Sequence, residues 1–184
     1  MILARAVHLH EEVNIPEDVK VEVEDKRIRV SGPKGIIERD FSYARNIIIK
    51  VEENKIVVET LFANRRQKAS FYSIIAHIKN MIIGVTKGWR YKLKIVTTHF
   101  PVTVKVVGNN VMIENFLGER SPRKAKILEG VKAKVEGKDI IIEGIDIEKV
   151  AQTAANIELA TRITDKDRRV FVDGIYIYES GEAE

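Results

Sequence analysis

The 184-residue chain has no cysteine, which excludes a disulfide scaffold, thiolate catalysis and Cys-ligated zinc. Aromatic residues are few, at 7%, while Ile and Val are abundant and favour strands. No apolar run approaches the roughly 18 residues that span a bilayer. No charged-then-apolar leader is found either, so neither a membrane span nor export is expected. The most telling shortage is of acid. From Thr60 to Ile113, 54 residues contain no Asp or Glu, where overall frequency predicts about eight. The same stretch holds nine bases, whereas residues 1–25 hold two bases against seven acids. Net charge is only +4, so it is the polarity of the distribution that points to a polyanion, nucleic acid first. The plainer alternative is a very stable protein that happens to segregate its charge.

What is present is a repeat. Val19-Lys20-Val21-Glu22-Val23 alternates and is followed by Arg27-Ile28-Arg29-Val30; 83 residues on, Val102-Thr103-Val104-Lys105-Val106 is followed by Val111-Met112-Ile113. Gly35 falls on Gly118 at that offset, and Lys55-Ile56-Val57-Val58-Glu59 on Asp139-Ile140-Ile141-Ile142-Glu143 at 84. Each half reads as hairpin, loop, hairpin and helix, with turns at Glu24-Asp25, Asn54-Lys55, Gly108-Asn109 and Gly137-Lys138. Asn64 is expected to cap a helix to about Ile83, with Phe71, Ile74, Ile75 and Ile78 on its core face and Gly84 as its stop. Asp146 is expected to cap a second, Ile147 to about Ile163, with Val150, Ala154 and Ile157 inward. The expected fold is α+β: two tandem duplicated domains, 1–83 and 84–184, each a mainly antiparallel sheet with one helix packed on one face. Residues 180–184 read as a polar tail.

Catalytic motifs are weak. Gly32-Pro33-Lys34-Gly35 joins two strands, so it is not a P-loop, which opens a helix. His8 and His10 have no third clustered ligand, and no metal or cofactor is expected. Asp165 and Asp167 are flanked by Lys166, Arg168 and Arg169, which keep both carboxylates ionised and argue against a hydrolase built on them.

Four basic clusters remain. Arg65-Arg66-Gln67-Lys68 opens a helix, where cations oppose the macrodipole unless an anion approaches. Lys87-Gly88-Trp89-Arg90-Tyr91-Lys92-Leu93-Lys94 interleaves bases with aromatics, as RNA-binding surfaces do, or is a strand with Trp89, Tyr91 and Leu93 buried and its bases solvated. Gly118 to Lys126, carrying Arg120, Arg123, Lys124 and Lys126, reads as a loop too rich in breakers to be core. Lys166, Arg168 and Arg169 follow the second helix. Lys87, Arg90, Lys92, Lys94, Arg120, Arg123, Lys124, Lys126, Lys166, Arg168 and Arg169 are the candidate RNA-binding residues.

Gly84-Val85-Thr86-Lys87-Gly88-Trp89 at the junction, Gly32-Pro33-Lys34-Gly35 and Leu117-Gly118 resemble the large-subunit ribosomal protein six family. Asp167-Arg168-Arg169-Val170-Phe171-Val172-Asp173-Gly174-Ile175-Tyr176 resembles its archaeal and eukaryotic branch, and the lysine- and glycine-rich segment of the bacterial branch is absent. The resemblance covers essentially the whole chain. It implies a structural, non-enzymatic role: binding large-subunit rRNA, chiefly through the second domain, near the stalk base and the sarcin–ricin loop. Neighbouring large-subunit proteins and translation factors would lie close by, in the cytoplasm. The competing reading is a free-standing regulatory RNA-binding protein. Asp173-Gly174 is expected to form a tight turn or bulge in which the aspartate accepts nearby backbone N–H groups, with Phe171 and Ile175 anchoring the segment.

Overall fold

The computed structural model describes residues 6–164, 166–167 and 169–183. The chain forms two compact units, Met1–Lys87 and Gly88–Glu184. In the first, β1 (Ala6–Asn14), β6 (Lys55–Ala63) and β5 (Ile47–Glu52) make one antiparallel sheet in the order β1-β6-β5. A second sheet orders β2 (Lys20–Glu24), β3 (Arg27–Gly32) and β4 (Gly35–Asp40) consecutively. Helix α1 (Arg65–Thr86) packs on β3, β6, β1 and β4. Strand alternation sends Ile28, Val30, Ile56 and Val58 inward to meet Phe71, Ile74 and Ile78 of α1, all essentially fully buried.

The second unit repeats this plan. Its larger sheet is ordered β11 (Val131–Glu136), β12 (Asp139–Gly144), β7 (Trp89–Val96), β13 (Gly174–Glu182). The smaller is β10 (Arg123–Lys126), β9 (Asn110–Glu114), β8 (Thr103–Val107). Helix α2 (Ile147–Ala160) buries Val150, Thr153, Ala154 and Ile157. The duplication therefore extends beyond the pairs legible in sequence: β1 answers β7, β4 answers β10, and β13 has no counterpart in the first unit.

Both helix caps form as expected. The Asn64 side chain accepts from Gln67 N–H and the Gln67 side chain accepts from Asn64 N–H, while Asp146 accepts from Glu148 N–H. Five expectations are corrected. Helix α1 passes through a buried Gly84 and ends at Thr86; the residue that stops it is Gly88, at φ +78°. Helix α2 stops at Ala160, with Thr161 as its cap, rather than near Ile163. Residues 180–182 are no tail, because Ser180, Gly181 and Glu182 pair with Tyr91, Arg90 and Trp89, and Ala183 N–H reaches Gly88 O at 2.9 Å. Residues 123–126 of the supposed loop are strand β10, held by β9 with Ala125 buried. The first two hairpin turns lie at Asp25-Lys26 and Glu53-Asn54, one residue from their expected places, with Asp25 and Glu53 taking positive φ.

Candidate nucleic-acid interface

The base-and-aromatic run at 89–94 is the central strand β7. Trp89 and Leu93 are buried and Tyr91 is half-buried, as the strand alternative requires. Arg90, Lys92 and Lys94 occupy the face away from α2, each opposite a carboxylate. Arg90 donates to Glu143 (2.7 Å), Lys92 lies on Glu179 (2.9 Å) and Lys94 on Asp139 (2.9 Å). Lys134 of β11 adds a pair with Glu136. The bond to Glu179 raises the Lys92 pKa, and the bond from Lys94 lowers that of Asp139. This face is an ion-pair ladder across four strands, with Arg90, Lys92, Lys94 and Lys134 already facing anions.

The link between β9 and β10 differs. A short 3-10 turn at Phe116–Gly118, with Leu117 and Gly118 at positive φ, leads into Glu119-Arg120-Ser121-Pro122. Arg123 is held from three sides: its guanidinium forks onto Glu119 (2.9 and 2.5 Å), donates to Ala160 O at the end of α2 (2.9 Å) and lies 4.5 Å from the Phe116 ring centroid. The same bond lowers the Glu119 pKa. Arg120, Lys124 and Lys126 are exposed, and their side chains have no ion pair or hydrogen bond among the described residues. Lys124 and Lys126 project from the same side of β10, opposite Met112 and Asn110.

The corresponding link in the first unit explains Gly32-Pro33-Lys34-Gly35. Lys34 N–H donates to Val85 O (2.9 Å) and its ammonium to Lys87 O, so this lysine caps α1 much as Arg123 caps α2. A Cβ on Gly32 would fall 2.7 Å from the Val85 side chain and 2.9 Å from its carbonyl oxygen, so only glycine lets the loop approach the helix end. The loop is a helix cap.

In the C-terminal segment, Arg169 pairs with Asp167 (2.8 Å), and Lys166 lies 5.2 Å from the Phe171 ring centroid. Arg168 and Asp165 lie outside the described residues. Asp173 is buried. Its carboxylate accepts from Thr98 N–H (2.6 Å), His99 N–H (3.1 Å) and His99 Nδ1 (2.6 Å). Burial pushes the Asp173 pKa up, but the hydrogen bonds from the His99 ring and from the two backbone N–H groups outweigh it and bring it down to about 2. The His99 ring stacks on Phe171 at 4.6 Å. The expected tight turn is replaced by a strand start: Gly174 opens β13 without positive φ, and a Cβ there would meet the Tyr176 ring at 2.9 Å. Ile175 is buried as an anchor; Phe171 is half-buried. Asp173 accepts backbone N–H groups as expected, but they are not nearby ones: its partners, the His99 ring among them, lie 74 and 75 residues away, beyond the reach of sequence reasoning.

Lys87 is exposed at the end of α1, its carbonyl oxygen taken by Lys34. His10 is held between Glu12 and Glu59, both at 3.3 Å, with its pKa raised by the hydrogen bond to Glu12. Among the described residues no three His, Asp or Glu side chains gather as a metal site.

The fold is thus a duplicated α+β chain that fixes some cations in its own framework and displays others on a loop and a strand face. The chain belongs to the ribosomal protein L6 family, whose model matches residues 15–88 and 100–174, one segment per repeat. It is 65% identical over 175 residues to the large ribosomal subunit protein uL6 of Sulfurisphaera tokodaii, covering 95% of this chain and 94% of that protein. It is 63% identical over 180 residues to that of Ignicoccus hospitalis (96% and 97% covered) and 60% over 185 to that of Staphylothermus marinus (99% and 100%).

Proposed function

We propose that the chain is a structural constituent of the large ribosomal subunit whose second unit binds large-subunit rRNA near the stalk base and the sarcin–ricin loop. It works beside neighbouring large-subunit proteins and close to docking translation factors. Membership of the ribosomal protein L6 family makes it a structural, RNA-binding protein of translation and not an enzyme. The observation that carries the proposed contact is the trio Arg120, Lys124 and Lys126, exposed and without partners among the described residues, on a corner fixed by Arg123. Phosphates displace counterions from such cations at no cost in broken ion pairs. Lys87 and Lys166 are further exposed contacts in this reading. Arg90, Lys92, Lys94 and Arg169 take part by exchanging a carboxylate for a phosphate, an inexpensive trade because such exposed pairs contribute only about 0–1 kcal/mol. Arg123 positions the corner, and Arg168 stays a candidate by sequence alone.

The test is ultraviolet crosslinking in intact large subunits with peptide mapping, alongside competition between parent and Arg120→Gln/Lys124→Gln/Lys126→Gln chains during subunit reconstitution. The proposal expects crosslinks from residues 118–126 to rRNA at the stalk base or sarcin–ricin loop and exclusion of the variant by the parent. Equal incorporation, with no rRNA crosslink in that segment, overturns it. A free-standing regulatory protein would fail to co-sediment with large subunits in high salt.

A further inference from the structure

The N-terminal unit carries a basic surface that the proposed contact does not use. Helix α1 has 22 residues and no Asp or Glu, and its core face is fully occupied by Phe71, Ile74, Ile75, Ile78, Met81 and Ile82. Outside that core face Arg65, Lys68 and Lys79 share one flank and Arg66 lies further round the helix; all four are exposed, and their side chains have no ion pair or hydrogen bond among the described residues. At 1.5 Å per residue, Arg65 to Lys79 spans about 21 Å. Between them lie Ala69, Ser73 and Ala76, all exposed, and Tyr72, whose ring is 46% exposed.

The fold has no use for these cations. The backbone N–H groups at the helix start are served by the Asn64–Gln67 capping box, and three bases in the first turn oppose the helix dipole. In the same unit Arg27 faces Glu38 and Lys55 faces Glu12, whereas α1 has no acid of its own to pair with its bases. A row of unbalanced cations with small side chains between them lets a polyanion approach the helix closely, and an exposed tyrosine offers a ring to a sugar or base.

We infer that the exposed face of α1 is a second RNA-binding surface, gripping the phosphate backbone through Arg65, Arg66, Lys68 and Lys79, with Tyr72 packed against a sugar or an unpaired base. The inference rests on the reading of the chain as an rRNA-binding protein and adds a surface from the first unit, to which that reading assigns only Lys87. A basic face of this kind repels basic protein neighbours, so RNA is the partner its charge fits.

The experiment measures binding of the full chain to protein-free large-subunit rRNA between 50 and 200 mM salt. Four chains are compared: the parent; Arg65→Gln/Arg66→Gln/Lys68→Gln/Lys79→Gln; Arg120→Gln/Lys124→Gln/Lys126→Gln; and a charge-matched control, Lys20→Gln/Arg29→Gln/Arg45→Gln/Lys50→Gln, from exposed positions of the first unit. Glutamine keeps the helix propensity, and relief of the opposed dipole predicts a melting temperature at or above the parent's. The α1 variant is expected to bind about tenfold or more weaker, with the slope of log K against log salt reduced by about 2 or more, while the control matches the parent. An unchanged slope and affinity in the α1 variant, or an equal loss in the control, overturns the inference. If only the 120–126 variant loses binding, the proposed function stands and this surface does not. If neither variant loses binding, both fail. In intact subunits, crosslinks from Lys68 and Lys79 to a polypeptide rather than rRNA also overturn it.

Discussion

Asp173 and Arg123 show how much of the second unit hangs on single side chains. The Asp173 carboxyl, at about 2, is depressed below the ordinary 3.8. A depressed acid stabilises the folded state above its unfolded pKa, and that contribution disappears as pH falls through its folded value. The contact is therefore at full strength above about pH 4 and gone near pH 2. Asp173→Asn should lose about 2 kcal/mol at neutral pH and converge on the parent in acid, read from urea unfolding at several pH values. Arg123→Gln should cost about 1–3 kcal/mol, because Glu119 and Ala160 O both lose a partner. Arg123→Lys should rescue little, since an ammonium cannot fork onto Glu119 while holding the helix end. Lys124→Gln, exposed and without a partner among the described residues, should stay within about 0.5 kcal/mol. Denaturation midpoints compare the three. Nothing local in the sequence separates Arg123 from Lys124; strand alternation turns one toward the helix end and the other toward solvent.

Each helix ends on a cation from the equivalent connection, Lys34 in the β3–β4 link for α1 and Arg123, the first residue of β10, for α2. The link is two residues long in the first unit and eight in the second, which is how a basic corner grew beside a retained capping role. Gly32→Ala is expected to destabilise the first unit by about 1–3 kcal/mol through overlap with Val85. Lys34→Ala is expected to cost about 0.3–1 kcal/mol, the worth of one favourable charge at a helix end. Thermal melts of the two variants should rank accordingly. The hairpins, both N-caps and the duplication were legible because alternation, Asn64 and Asp146 act locally. The stop of α1 was not. Gly84 matches the pattern of a helix end, but it is buried against the core, and the docked Lys34 loop carries the helix one turn further. Likewise, the aromatic–basic run could be read either as a strand or as an RNA surface until its carboxylate partners on β12 and β13 were in place.

For the chain as a whole, contacts divide into two compact units and every member of the first unit's core cluster lies between residues 9 and 85, so chains 1–87 and 88–184 should each unfold cooperatively when made alone. Two sigmoidal transitions by circular dichroism are the expected result; a broad, non-cooperative melt from either would show that its core depends on the other. The pairing of β13 with β7 has another consequence, for the order of events during synthesis. β7 is the first strand of its unit to be made and β13 the last, yet they lie side by side to their ends, where Ala183 reaches Gly88. One edge of β7 therefore stays open until residues 174–182 have been made, some ninety residues after Trp89. A chain halted before Gly174 would hold a finished first unit and an unsealed second one, so closure of the second unit waits on residues 174–182.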